Sequence, residues 1–148
     1  MAILRACALA VGLVATIVRG VEPQAQEGAG FQVIVNSANP VSALTQDDIA
    51  RLFLKERKSW DGGLAVEPVD QRARSDVREA FSTAALGRSP RAVIVHWQQQ
   101  IFSGRNVQPR ELESDDAVVE YVRTHAGAVG YVSPSGAVSG VKTVEIRR

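Results

Sequence analysis

The sequence contains a single cysteine, Cys7, which lies within the first 25 of its 148 residues. A chain that has lost this segment has no disulfide and no thiolate for catalysis or metal binding. Histidine is almost as scarce, since only His96 and His125 are present. Two histidines on separate predicted helices, without an HExxH spacing, do not indicate a metal site. The sequence therefore predicts neither a metal nor another cofactor.

The chain also lacks an excess of either charge, since 17 basic and 16 acidic residues give a net charge of +1. Nucleic-acid-binding domains carry a concentrated positive field, so this balance argues against a nucleic-acid partner. No nucleophile is paired with a base in a recognisable motif, and the chain is therefore predicted not to be an enzyme. A length of 148 residues with 45% hydrophobic residues predicts one domain with an ordinary core.

The N-terminus has the pattern of an export signal. A short basic start is followed by an apolar run over residues 6–18, which is too short to cross a bilayer comfortably. We expect a signal peptide over residues 1–25, a linker over 26–30 and a folded domain over 31–148. Ala25 suits the residue before the cut, but Pro23 does not suit the third position back. An uncleaved membrane anchor therefore remains an alternative.

From Phe31 onward, strand patterns alternate with helix patterns. Strands are predicted at residues 31–35, 64–70, 128–132 and 141–146 from β-branched and apolar runs bounded by turn residues. Helices are predicted to follow four N-cap residues, namely Thr45, Ser75, Ser89 and Ser114. This order predicts an α/β domain in which about four helices cover a mixed sheet. A ligand site is expected at loops beyond the carboxyl ends of strands.

An ordered set of short motifs resembles a known family. The set is NPVSALTQDDIARLFLKERKSWDGG, then PVD, REAF, LGRSP, Trp97 with Phe102 and Gly104, and GAVGYV. It resembles the phosphate-type substrate-binding proteins of bacterial ABC transporters, in a small PBP-like form, over nearly all of the chain after Phe31. The resemblance implies a type 2 periplasmic-binding-protein fold in a single lobe, and a periplasmic location. The opening motif of the first lobe, rich in glycine with serine or threonine, is missing.

The stretch DQRARSDVREAF, residues 70–81, aligns with the phosphate loop of larger family members. That loop reads roughly Arg-x-x-Gly-Ser-Gly-Thr before Arg-Glu-x-Phe, and its amides and hydroxyls hold phosphate at a helix N-terminus. Here the family's serine is matched by Ser75, while Gln71 stands at the arginine, Arg74 and Asp76 at the two glycines and Val77 at the threonine. The resemblance therefore carries over one ligand residue.

Two interpretations of this loop remain. In the first, Ser75, Arg72 and Arg74 bind phosphate or a similar oxyanion, together with the loop after the first strand, which supplies Asn36, Ser37 and Asn39. The chain would then be an exported solute-binding protein for ABC-type uptake, with a permease or another envelope protein as partner. In the second, Ser75 and Asp76 only cap a helix, and a ligand-less domain binds a protein partner.

Other polar residues have simpler explanations. His96 is expected at a surface or edge, and His125 near the negative end of the fourth helix. The acidic pairs at residues 47–48 and 115–116 lie in first helical turns, where carboxylates are favoured. The run KERK, residues 55–58, is expected to be the solvated end of the first helix, with a basic edge for a partner as the alternative.

Overall fold

The computed structural model describes residues 30–148, so Cys7, the predicted signal peptide and nearly all of the predicted linker lie outside the described residues. Six strands and four helices follow in chain order: β1 (Gln32–Asn36), β2 (Ala43–Thr45), α1 (Gln46–Phe53), β3 (Glu67–Gln71), α2 (Asp76–Ala84), α3 (Pro90–Phe102), β4 (Arg110–Leu112), α4 (Asp115–Thr124), β5 (Ala128–Val132) and β6 (Val141–Arg147). Within residues 30–148, no helix is long and apolar enough to cross a bilayer.

The strands form one mixed sheet in the order β2-β6-β1-β5-β3-β4. Strand β1 runs antiparallel to both β5 and β6, whereas β3 runs parallel to β5 and β4, and β2 parallel to β6. The carboxyl ends of β3, β4 and β5 therefore meet at one edge of the sheet, and the carboxyl end of β1 points to the opposite edge. The predicted α/β class with four helices and a mixed sheet is confirmed.

Apolar clusters cover both faces of the sheet, which explains why the central strands read as continuous apolar runs. Val33 and Val35 of β1 point into a cluster with α1 and α2, while Ile34 points into a cluster with α4 on the other face. In the first cluster the ring of Phe81 stacks on Tyr131, with centroids 3.8 Å apart. The domain is thus three layers thick, and α2 packs on the sheet through Phe81.

The four predicted N-caps are confirmed, since Thr45, Ser75, Ser89 and Ser114 each accept a hydrogen bond from a backbone N–H in the first turn of their helix. Thr45 and Asp48 form a complete capping box. These serine and threonine side chains satisfy amides that have no partner inside the helix, which fixes where each helix begins.

Three details differ from the sequence-based expectation. Strands β2 and β4 were not predicted, because three residues are too few to show an alternating pattern. The apolar spacing of Val77, Phe81 and Ala84 predicts that Ala84 lies on the buried face of α2, but Ala84 is exposed, and Ser82 is buried instead. The run at 55–58 lies beyond α1 rather than continuing it, because Leu54 caps the helix and Lys55 adopts a positive φ of 57°.

Candidate functional site

The β3–α2 loop, residues 72–75, joins the carboxyl end of β3 to the N-terminus of α2. Its turn is closed by Ser75, whose Oγ donates to the Arg72 carbonyl at 3.1 Å and accepts from the Arg78 amide at 3.3 Å. The backbone N–H of Ser75 also donates to the Arg72 carbonyl. The serine that matches the family's ligand position therefore acts as a helix N-cap in this structure. Its hydroxyl hydrogen is already used within the loop.

The two arginines of the loop differ in their surroundings. Arg72 forms an ion pair with Glu113, and both side chains are mostly exposed. Arg74 is exposed and forms no hydrogen bond or ion pair with the described residues. Asp76, exposed in the first turn of α2, places a carboxylate at the positive end of that helix. One guanidinium is thus free for an anion, and a second is shared with a carboxylate.

A buried ion pair next to the β3–α2 loop connects α2 to the sheet. Arg78 is buried, and its Nη2 lies 2.9 Å from Asp70 Oδ2, while its Nη1 lies 2.9 Å from Glu111 Oε2. Nη1 also donates to the Gln71 carbonyl at 2.6 Å. Since α2 supplies the guanidinium and β3 and β4 supply its partners, the pair fixes where α2 begins relative to the sheet.

Tyr131 of β5 completes this network by donating its hydroxyl hydrogen to Asp70 Oδ1. Burial raises the pKa of Asp70 above its usual range, while the charge of Arg78 and the hydrogen bonds from Tyr131 and Gln71 oppose the rise. Burial, followed by the nearby Asp70 carboxylate, raises the pKa of Tyr131 as well, so the phenol remains a donor throughout the ordinary pH range. The sequence reasoning missed this network, although a tyrosine in an otherwise apolar buried strand requires a hydrogen-bond partner.

Gln71 stands where the resemblance placed an arginine, and it is buried. Its Nε2 donates to Asp115 Oδ1 at 2.7 Å and to the Tyr131 carbonyl at 3.0 Å. Asp115 in turn accepts hydrogen bonds from the backbone N–H and the hydroxyl of Ser133. Asp115 therefore ties the end of β5 to α4, in addition to its predicted place in a first turn. Gln71 and Asp115 are therefore hydrogen-bonded to each other and to β5 and its following residue.

The loop that begins at Asn36 does not join the β3–α2 loop. Strand β1 is antiparallel to β5, so its carboxyl end lies at the opposite edge of the sheet, roughly 15 Å away by the rise of a five-residue strand. Asn36 Nδ2 donates to the carbonyls of Val122 and Arg123 and so caps the end of α4. The expectation of a single site formed by both loops is therefore corrected by the sheet topology.

The remaining residues of that loop also have local roles. Asn39 is buried, its Oδ1 accepts from the Val41 amide at 3.0 Å, and its carbonyl accepts from Lys142 Nζ. Asn39 Nδ2 has no hydrogen-bond partner among the described residues. Ser37 is exposed. Asn39 thus stabilises the turn after β1.

Two solved structures of similar fold are proteins of phosphate transport. An ABC-type phosphate transport receptor from Vibrio cholerae matches with a TM-score of 0.63 and 20% identity, covering 79% of this chain and 46% of its own. A substrate-binding protein from Clostridium perfringens, assigned to phosphate ABC transport and crystallised with bound phosphate, matches with a TM-score of 0.63 and 19% identity, covering 79% of this chain and 44% of its own. The chain shares its fold with part of each of these two proteins.

PstS from Borrelia burgdorferi matches with a TM-score of 0.56 and 11% identity, covering 80% of this chain and 47% of its own. The chain thus spans less than half the length of each of these neighbours. No protein-family model matches the sequence, and no curated protein matches it. At these identities the likeness establishes the fold, and function must be argued from the site.

Proposed function

We propose that the chain is an exported solute-binding protein that binds phosphate or a similar oxyanion for an ABC-type uptake system. The observation that carries the proposal is the likeness to neighbours concerned with phosphate transport, in a chain that has two exposed arginines at the N-terminus of α2. The proposed contact surface is the β3–α2 loop, with Arg72, Arg74 and Ser75. The turn at Asn36, Ser37 and Asn39 is left out, because it lies at the other edge of the sheet.

The chemistry of the loop suits an oxyanion. A guanidinium presents paired N–H donors that match two oxygens of phosphate, and Arg74 has no competing carboxylate among the described residues. The first-turn amides of α2 add the positive end of a nine-residue helix. The ion pair between Arg78 and Asp70 holds that helix end in place.

Two carboxylates weaken the proposed site. Glu113 must release Arg72, and the negative charge of Asp76 must be tolerated, before an anion can contact both arginines. We therefore propose weak binding by this surface alone. A permease or another envelope protein that covers the loop would supply further donors and exclude water, which strengthens each hydrogen bond to the anion.

Isothermal titration calorimetry with inorganic phosphate tests the proposal directly. We expect the double variant Arg72→Ala with Arg74→Ala to lose at least tenfold in affinity, since each charge-assisted contact contributes about 1.5–3 kcal/mol. The matched control removes two exposed arginines at the end of β6, Arg147 and Arg148, and leaves the affinity unchanged. Equal affinities for all three proteins, or no binding at millimolar phosphate, would contradict the proposed site.

A further inference from the structure

A second surface of the molecule, around helix α3, is rich in arginine and lacks acidic residues in its own segment. Residues 88–110 contain four arginines and no aspartate or glutamate, although the chain as a whole is nearly neutral. Helix α3 occupies most of this segment. Neither Arg88 nor Arg91 forms an ion pair with the described residues, and Arg88 Nη1 lies 3.5 Å from His96 Nδ1. The positive charge of residues 88–110 is therefore not balanced within this segment.

Helix α3 also leaves apolar side chains in water. Its inner face packs on Leu54 through Val93 and Trp97. On its outer side, Ile94 is 40% exposed, Val95 42%, Ile101 49% and Phe102 97%. Residues seven apart lie on the same side of a helix, so Val95 aligns with Phe102, and Ile94 with Ile101. The apolar spacing of Val93, Ile94, Trp97 and Ile101 predicts one buried face for α3, but Ile94 and Ile101 lie away from the core.

Cationic groups surround the N-terminal end of this row of exposed apolar side chains. An open hollow of about 430 Å³ is lined by Arg88, Ser89, Arg91, Ala92, Val95, His96 and Gln99. The basic run at 55–58 follows Leu54, which packs on α3. Burial and the charge of Arg88 lower the pKa of His96, and the charge of Glu56 opposes this shift. The run thus brings Lys55, Glu56 and Lys58 near α3.

We infer that the outer face of α3, formed by Arg88, Arg91, Ile94, Val95, Ile101 and Phe102, binds the surface of an anionic phospholipid bilayer. The arginines would meet lipid phosphates, with the hollow receiving one head group, and the four apolar side chains would enter the boundary between head groups and acyl chains. A helix about 20 Å long lying in the membrane plane can make both contacts at once. The inference stands apart from phosphate binding by the β3–α2 loop.

Charge and shape favour a membrane over two other occupants. A second copy of the chain would bring two sets of arginines together without a carboxylate on either face, which is repulsive. An acidic protein would satisfy the charges, but the apolar side chains lie on the convex side of a helix, and Phe102, at the end away from the hollow, is 97% exposed and so does not line a groove. A fluid bilayer requires no complementary shape. It also takes up separated apolar side chains beside arginines.

Vesicle co-sedimentation tests the inference. The chain of residues 26–148 contains every described strand, helix and apolar cluster, and it omits the apolar run at 6–18, which would bind lipid by itself. We expect it to bind vesicles of 40% phosphatidylglycerol in phosphatidylcholine at low salt, and to bind pure phosphatidylcholine far less. Addition of 0.5 M salt is expected to release most of the bound protein, because it screens the attraction.

Variants separate the two contributions. Arg88→Ala with Arg91→Ala is expected to lower the partition coefficient roughly 30-fold, since each arginine near an anionic surface contributes about a fivefold factor. Ile101→Ser with Phe102→Ser is expected to lower it roughly tenfold, because less apolar area leaves water. The control, Arg147→Ala with Arg148→Ala, removes the same charge at the end of β6 and leaves most of the binding. Absence of binding to anionic vesicles, or equal losses in all three variants, would overturn the inference.

Discussion

At the scale of single residues, the proposed site depends on a side chain that does not itself reach solvent. Arg78 is buried between β3, β4 and α2, where it contacts Asp70 and Glu111. In the sequence, Arg78 only marks the start of the REAF motif that aligns the chain with the family. An arginine beside Val77 in a helix gives no sign of being buried. Its partners come from strands that are distant in sequence, so this pair could not be predicted without the sheet order.

Asp70→Asn should destabilise the domain. The substitution keeps the shape of the side chain but leaves the buried charge of Arg78 with one partially exposed carboxylate, Glu111. Removal of one member of a buried ion pair typically costs 3–5 kcal/mol, and we expect about 3 kcal/mol here. Urea denaturation measures the loss. Asp61→Asn, which removes a highly exposed partner of Arg57, should cost about 0.5 kcal/mol. Equal costs would show that the Asp70 pair is not structural.

Glu113→Gln should strengthen phosphate binding. Glu113 pairs with Arg72 at the β3–α2 loop, and glutamine removes the charge that competes with the anion. An exposed ion pair is worth about 0.5–1 kcal/mol, so we expect a roughly two- to fivefold gain in affinity by calorimetry. Glu145→Gln, which frees Arg147 at the end of β6, is the matched control and should have no effect. A loss of affinity in Glu113→Gln would contradict the assignment of Arg72 as an anion contact.

At the scale of elements, the sequence was informative wherever a local rule applies. The helix starts at Thr45, Ser75, Ser89 and Ser114 were predicted, because capping involves residues three apart in sequence. Strand β5 was predicted from its apolar run. The edge strands β2 and β4 were not predicted, and neither was the separation of the Asn36 turn from the β3–α2 loop, because both follow from strand pairing between distant residues.

The capping box of α1 should make stability depend on pH. Hydrogen bonds from Thr45, first its side chain and then its backbone, lower the pKa of Asp48 below its ordinary value of 3.8. The folded state therefore favours the carboxylate, so its contribution is complete above about pH 5 and is lost as the pH falls through the lowered folded-state pKa.

The variant Asp48→Asn checks this sign. We expect it to cost about 1 kcal/mol at pH 7, by urea denaturation, and to cost less as the pH falls through the lowered folded-state pKa and Asp48 becomes protonated. Asp47→Asn removes a more exposed carboxylate from the same turn, outside the capping box, and should cost less at pH 7. A cost for Asp48→Asn that stays constant from pH 7 to pH 2 would contradict the role of the ionised side chain.

The packing of α4 on the sheet depends on a glycine in β5. A Cβ at Gly130 would lie 2.6 Å from Val118 Cγ1 and 2.9 Å from Val69 Cγ2, so α4 or β3 would have to shift. Gly130→Ala should therefore lower the free energy of unfolding by about 1–3 kcal/mol. Gly62→Ala is the control, since a Cβ there meets no atom within 4 Å. Equal stability of the two variants in urea would contradict the close approach of α4.

At the scale of the whole molecule, a nearly neutral chain separates its charges. The surface near the carboxyl ends of β3 and β4 carries Glu111, Glu113 and Asp76 beside its arginines, whereas residues 88–110 carry no acidic residue. Composition alone could not show this separation, because a net charge of +1 is compatible with any arrangement. The acidic groups near the proposed anion site explain why we expect weak binding. The chain also spans less than half the length of these structural neighbours.

The most direct test of the proposed function is thermal unfolding of residues 26–148 with phosphate, sulfate and chloride at matched ionic strength. A ligand at 100 times its dissociation constant stabilises a fold by about 2.7 kcal/mol, which raises the midpoint by several degrees in a domain of this size. We predict a rise with phosphate that exceeds the rise with chloride and disappears in Arg72→Ala with Arg74→Ala. An unchanged midpoint with every anion at millimolar concentration would contradict the proposal and leave Ser75 as a helix cap alone.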